Sequence, residues 1–125
     1  MERAAKAQSI AVKLEDGKTY RMDFDMAALA NAEGIFEDKF GKSVGVDAII
    51  ADLVQAKARA MMAFAYGAML SAGEKITWED FAKSVYTFEN YNALADAVTT
   101  ALLRMMRPED GEGSAEKNAD SRGAS

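Results

Sequence analysis

Three carboxylates, Glu33, Glu37 and Asp38, fall within one predicted helix. At that spacing paired carboxylates could hold a cation or share a proton. Helix surfaces are normally charged, and these positions face away from the apolar stripe, so they read as a solvated face. Glu79 and Asp80 read in the same way, as acids in the first turn of a helix, where the dipole favours them. Ser, Thr and Lys are present, but a nucleophile needs an adjacent base held by a third group. The 125-residue chain contains no His and no Cys, so neither the commonest base nor a thiolate is available. There is no glycine-rich phosphate loop. The residue types point to recognition: no enzyme activity, cofactor or metal site is expected.

Eight methionines stand out. Most should fill core gaps, but an unbranched, polarisable thioether also suits a surface that adapts to its partner. Met61-Met62 and Met105-Met106 are adjacent pairs. Neighbours on a helix point about 100° apart, so one of each pair lies at the edge of a core stripe or outside it. Trp78 and Tyr86 either anchor a partner or pack a short helix onto the core. The expected partner-binding positions are the exposed edges of the long central helix and the last helix, around Met62, Tyr66, Met69, Leu103 and Met106.

The charge balance narrows the partners. Net charge is −5, against a nucleic-acid binder, which needs a basic face, and against docking on anionic lipid. Residues 90–103 could be misread as a recognition helix, but they carry Asp96 and no positive charge before Arg104, so a small helical DNA-binding regulator is disfavoured. No run approaches the roughly 18 apolar residues of a membrane span. Residues 1–8 are polar and Ala-rich without an apolar stretch, so no signal peptide is expected. The expectation is a cytoplasmic protein without nucleic-acid or membrane partners. At this length one domain is expected, and with half the residues apolar it should bury roughly 65% of its unfolded surface.

Elements must now position these residues. In residues 9–24, Ile10, Val12 and Leu14 alternate with polar or small residues, as do Tyr20, Met22 and Phe24, around Asp16-Gly17. A two-residue loop at Asp16-Gly17 would pair Val12 with Arg21 and split the apolar residues over both faces. A three-residue loop, Glu15-Asp16-Gly17, pairs Val12 with Tyr20 and Ile10 with Met22, and puts Gly17 at the left-handed position of a type I turn with a G1 bulge. That loop is expected. The apolar face must be covered, because a lone hairpin is marginal in water.

Helical spacing predicts a first helix over 26–40, capped by Asp25 and stopped by Gly41. Its stripe is Leu29, Ala32, Phe36 and Phe40, with Met26 and Ile35 at its edges. A second, long helix is predicted over 47–71 on the stripe Ile49, Ile50, Leu53, Ala56, Ala60, Met61, Phe64, Ala68 and Met69. Ala72-Gly73 ends it, and a kink or break near residues 55–58 is left open without a strong local signal. Thr77 starts a short helix over 78–86 as its N-cap, with Asp80 in the place of the capping-box acid. A last helix over 89–106 carries the stripe Tyr91, Leu94, Ala95, Val98, Ala101, Leu102 and Met105. Pro108 stops it. Residues 109–125 hold no large apolar residue and should be disordered when free. The fold class is therefore α+β and mostly α: flexible residues 1–8, one domain over 9–106 with a hairpin packed on about four helices, and a polar tail over 107–125. The hairpin leaves strand edges, so pairing with a second copy into a homo-oligomer is open.

The run Val12-Lys13-Leu14-Glu15-Asp16-Gly17-Lys18-Thr19-Tyr20, then Met26-Ala27-Ala28-Leu29-Ala30-Asn31-Ala32-Glu33, an Ala-rich helix, Ile76-Thr77-Trp78-Glu79-Asp80-Phe81 and a last amphipathic helix together resemble the tail assembly chaperones of long-tailed phages and the related tail proteins of gene transfer agents. The resemblance covers residues 9–106 and rests on the hairpin, the first helix and the order of helices. It implies a non-enzymatic role: binding the tape measure protein, helping to recruit tail tube protein subunits in the host cytoplasm, and absence from the mature virion. In several members a translational frameshift appends a second domain near the C-terminus, and the polar tail would fit a linker there. The alternative is a structural tail or connector subunit retained in the virion, although those folds lean more on β-structure than one hairpin allows.

Overall fold

The computed structural model describes residues 8–106. Two strands, β1 (Gln8–Lys13) and β2 (Thr19–Phe24), form an antiparallel hairpin. Five helical segments follow: α1 (Met26–Phe40), α2 (Val46–Val54), α3 (Ala58–Ser71), α4 (Trp78–Asp80), continued as a π-helical turn over Phe81–Val85, and α5 (Tyr91–Met105). The fold is α+β and mostly α. The expected tail over 107–125, with Arg107 and Pro108, and the N-terminal residues 1–7 lie outside the described residues.

The hairpin takes the three-residue loop. Val12 pairs with Tyr20 and Ile10 with Met22. The Leu14 amide donates to Lys18 O at 2.9 Å, and Gly17 sits at φ 86°, a conformation costly for any residue with a Cβ. This register puts Val12, Leu14, Met22 and Phe24 in the core, with Ile10 and Tyr20 half-buried at its margin. Ser9, Ala11, Lys13, Thr19 and Arg21 are exposed on the other face.

The expected long helix over 47–71 is two helices. Ala56 adopts a left-handed conformation (φ 54°), the Ala56 amide donates to Leu53 O, and the Lys57 amide donates to Asp52 O. This is a Schellman stop with alanine where glycine is usual. The same bonds end α3, from Gly73 (φ 90°) to Leu70 O and from Glu74 to Met69 O. That second stop carries the glycine that makes it visible in the sequence. The ends of α1 follow expectation: the Asp25 carboxylate accepts from the Ala28 amide at 2.8 Å, and Gly41 turns out of the helix at φ 66°. Thr77 Oγ1 accepts from the Asp80 amide at 3.1 Å.

The core is built around α3. Ala60, Met61 and every residue from Ala63 to Met69 are buried, as in a helix surrounded by other elements. It packs against α1, α2, α5 and β2, while α5 also covers β1. Phe24 of the hairpin meets Phe64 edge-on, ring centroids 4.9 Å apart. Ser71 Oγ donates to the Asp25 carboxylate at 2.8 Å, tying the end of α3 to the cap of α1. Asn90, the one buried polar side chain among the described residues, ties the hairpin turn to the start of α5. Its Oδ1 accepts from the Glu15 amide and its Nδ2 donates to Val85 O, both at 2.9 Å.

Gly67 is where α1 and α3 come closest. A Cβ there would lie 2.5 Å from the main-chain oxygen of Ala28. Alanine would favour the helix by about 1 kcal/mol, but a backbone oxygen cannot move aside cheaply, and overpacking costs about 1–3 kcal/mol. Gly67→Ala is therefore expected to destabilise the fold by about 1–2 kcal/mol, read from the urea midpoint.

Candidate protein-binding site

The five positions expected to bind a partner do not share one surface. Met69 is fully buried, and Tyr66 is buried with its hydroxyl donating to Ile76 O at 2.7 Å. Both belong to the core, because α3 is enclosed on all sides and offers no exposed edge there. Met62 is half-buried against the core. Leu103 and Met106 are exposed, at 58% and 57%, near the end of α5. The methionine pairs divide as their spacing requires: Met61 is buried and Met62 half-buried, Met105 half-buried and Met106 exposed.

A stronger feature lies at the other end of α5. Phe88 is 99% exposed, and Tyr91 beside it, expected on the apolar stripe of the last helix, is 40% exposed because it sits in the first turn of α5, beyond the core. A fully solvated phenylalanine forgoes about 1.5–3 kcal/mol of burial free energy. Local capping explains how it is held outside. The Asn90 amide donates to Thr87 Oγ1 (3.3 Å) and Thr87 O (3.1 Å), so the chain turns at Phe88 before α5 begins, and Asn90 alone is drawn inward. Phe88, Tyr86, Thr87, Glu89, Tyr91 and Ala58 line an open cavity of about 500 Å³ between the start of α3 and the start of α5.

Behind the cavity the aromatic side chains are continuous. Phe36, Phe40, Trp78, Phe81, Tyr86 and Tyr91 contact in sequence, with centroids 5.3–6.0 Å apart. Trp78 is inside this run and half-buried, which assigns it to packing. Tyr86 stands where the run meets the cavity. Its hydroxyl is buried and has no hydrogen-bond partner among the described residues, an arrangement that costs about 1–3 kcal/mol. Burial pushes the Tyr86 phenol up to about 12, with Tyr91 adding to the shift. The folded chain thus holds this proton more tightly than the unfolded chain, whose phenol loses it near pH 10. Stability present below about pH 10 is lost as pH rises from there through about 12. Tyr86→Phe is expected to flatten that loss and to cost nothing at neutral pH. Denaturation midpoints across the alkaline range check both.

Sequence reasoning singled out Tyr86 and missed Phe88. The available signal was a bulky apolar residue between a Thr cap and an acidic residue, outside either stripe. The helix 1 carboxylates form no cluster: Glu37 and Asp38 are exposed, and Asp38 pairs with Lys39 at 3.3 Å. No helix among the described residues is long and apolar enough to cross a membrane. No protein-family model matches the chain, and no curated protein and no solved structure matches it.

Proposed function

We propose that this chain is a non-enzymatic phage tail assembly chaperone, which binds the tape measure protein and helps to recruit tail tube subunits. The observation that carries the reading is Phe88, held fully in water beside an open aromatic cavity that ends on an unpartnered tyrosine hydroxyl. Such a patch fits a protein partner better than a small polar substrate. A tape measure protein is mostly long helix. One apolar side chain of such a helix would enter the cavity, and a polar group beside it would satisfy Tyr86 Oη. Glu89 on the rim favours a Lys or Arg next to that anchor. This is helix-in-groove recognition, repeated by many copies along one long partner. The net charge of −5 keeps a crowded complex soluble. The order of hairpin, first helix, Ala-rich helix, short helix and last helix, on which the resemblance rests, supports the same reading.

Fractionating an infected or induced cell lysate tests it. The chain should co-sediment with the tape measure protein in tail intermediates and be missing from purified particles. Recovery in purified particles at a fixed stoichiometry would instead make it a virion subunit.

A further inference from the structure

We propose that the open edge of β1 pairs with β1 of a second copy of this chain, antiparallel about a two-fold axis at Ala11. The two edges of the hairpin differ. In an antiparallel pair, alternate residues turn both main-chain groups away from the partner strand. The Arg21 amide points outward and donates to Glu74 Oε2 at 2.7 Å, so the β2 edge is capped by a side chain. Arg21 pairs with Ala11, which places the outward groups of β1 on Ser9, Ala11 and Lys13. None of these main-chain groups has a partner among the described residues. An open groove of about 360 Å³ runs beside them, walled on the α5 side by Ala93, Ala97 and Thr100 together with the charged side chains of Asp96 and Arg104.

The residue pattern along this edge is self-complementary. A two-fold axis at Ala11 sets Ser9 against Lys13 of the second copy and Ile10 against its Val12. On the core face this extends an apolar row across the junction and covers Ile10, which is half-buried in the single chain. On the outer face Asp23 is next to Ser9, whose hydroxyl it accepts at 2.6 Å. The second copy's Lys13 therefore arrives beside a carboxylate, and the symmetry repeats the match. Each outward residue exchanges both of its main-chain bonds, and two hairpins become one four-stranded sheet. A strand edge left open is otherwise a site of uncontrolled association. This inference is independent of the proposed function.

Sedimentation velocity of the full chain over a concentration series tests the pairing. The expected result is a mass that rises from that of one chain to that of two. Ala11→Pro removes an outward amide and leaves the inward ladder of Ile10 and Val12 intact, as proline on an edge strand allows; it should hold the chain at single mass with unchanged helicity. Lys13→Asp and Asp23→Lys should each raise the dimer dissociation constant roughly tenfold, and the double variant should restore it. Single mass at every concentration overturns the proposal. So does a dimer untouched by Ala11→Pro and by both charge reversals, which would place the contact elsewhere. If Ala11→Pro unfolds the chain, the two charge reversals and their double variant decide.

Discussion

Replacing Phe64 with alanine is expected to cost the fold about 3–5 kcal/mol, a large share of the roughly 5–15 kcal/mol that holds a domain together. Phe64 is fully buried at the middle of α3 and meets Phe24 of β2 edge-on. Three effects add. Burial of a large ring is lost, a cavity opens that helices pinned on several sides cannot fill, and an aromatic pair worth about 0.5–1.5 kcal/mol disappears. The damage should be greatest in the hairpin, which cannot hold itself in water and whose β2 strand rests on α3. Urea denaturation should show a lowered midpoint, and amide exchange should accelerate first in β1 and β2. Leu103→Ala, at an exposed position of α5, should stay within about 0.5 kcal/mol of the parent. A Phe64→Ala loss no larger than that of Leu103→Ala would mean that α3 does not organise the core.

Phe88→Asp is expected to act in the opposite way: no change in stability beyond about 0.5 kcal/mol, and a loss of partner affinity of roughly 30- to 1000-fold, or about 2–4 kcal/mol. The side chain has almost no contact to lose in the free chain, while at an interface it would be the largest apolar surface delivered to the partner. Aspartate beside Glu89 also places a second carboxylate where a basic residue of the partner is expected. Titration calorimetry against helical segments of the tape measure protein reads the effect, with Tyr86→Phe as a milder companion. If Phe88→Asp binds as the parent does while Met62→Asp or Met106→Asp does not, the interface lies on the half-buried Met62 or the exposed Met106 and not at the aromatic cavity.

Much of the fold was legible because each signal had a single local cause. Strand parity and Gly17 determine the hairpin register; Asp25, Gly41, Gly73 and Thr77 mark helix ends by side-chain or φ chemistry that sequence displays. The break at Ala56 falls within the stretch 55–58 where a kink stays open, but nothing in the sequence marks it. Its Schellman bonds need a left-handed residue, and alanine gives no warning that it occupies one. The π-helical turn over Phe81–Val85 was invisible for the same reason, since periodicity alone does not separate it from an α-helix. Met69 lies on the helical stripe of 47–71, and only its assignment to a binding surface fails; burial of Tyr66 depended on how many neighbours surround α3, which is a tertiary property. Exposure of Phe88 depended on Asn90 being drawn inward to reach Glu15 and Val85, contacts across 75 residues and 5 residues of sequence. Sequence patterns thus located the helices better than the surface they leave free.

The most direct measurement is co-expression of this chain with a tape measure protein, the proposed partner, followed by purification and light scattering of whatever remains soluble. A soluble complex carrying several copies of this chain per tape measure protein is expected, with Phe88→Asp abolishing it. An insoluble tape measure protein, with this chain alone in solution, would contradict the proposed chaperone function.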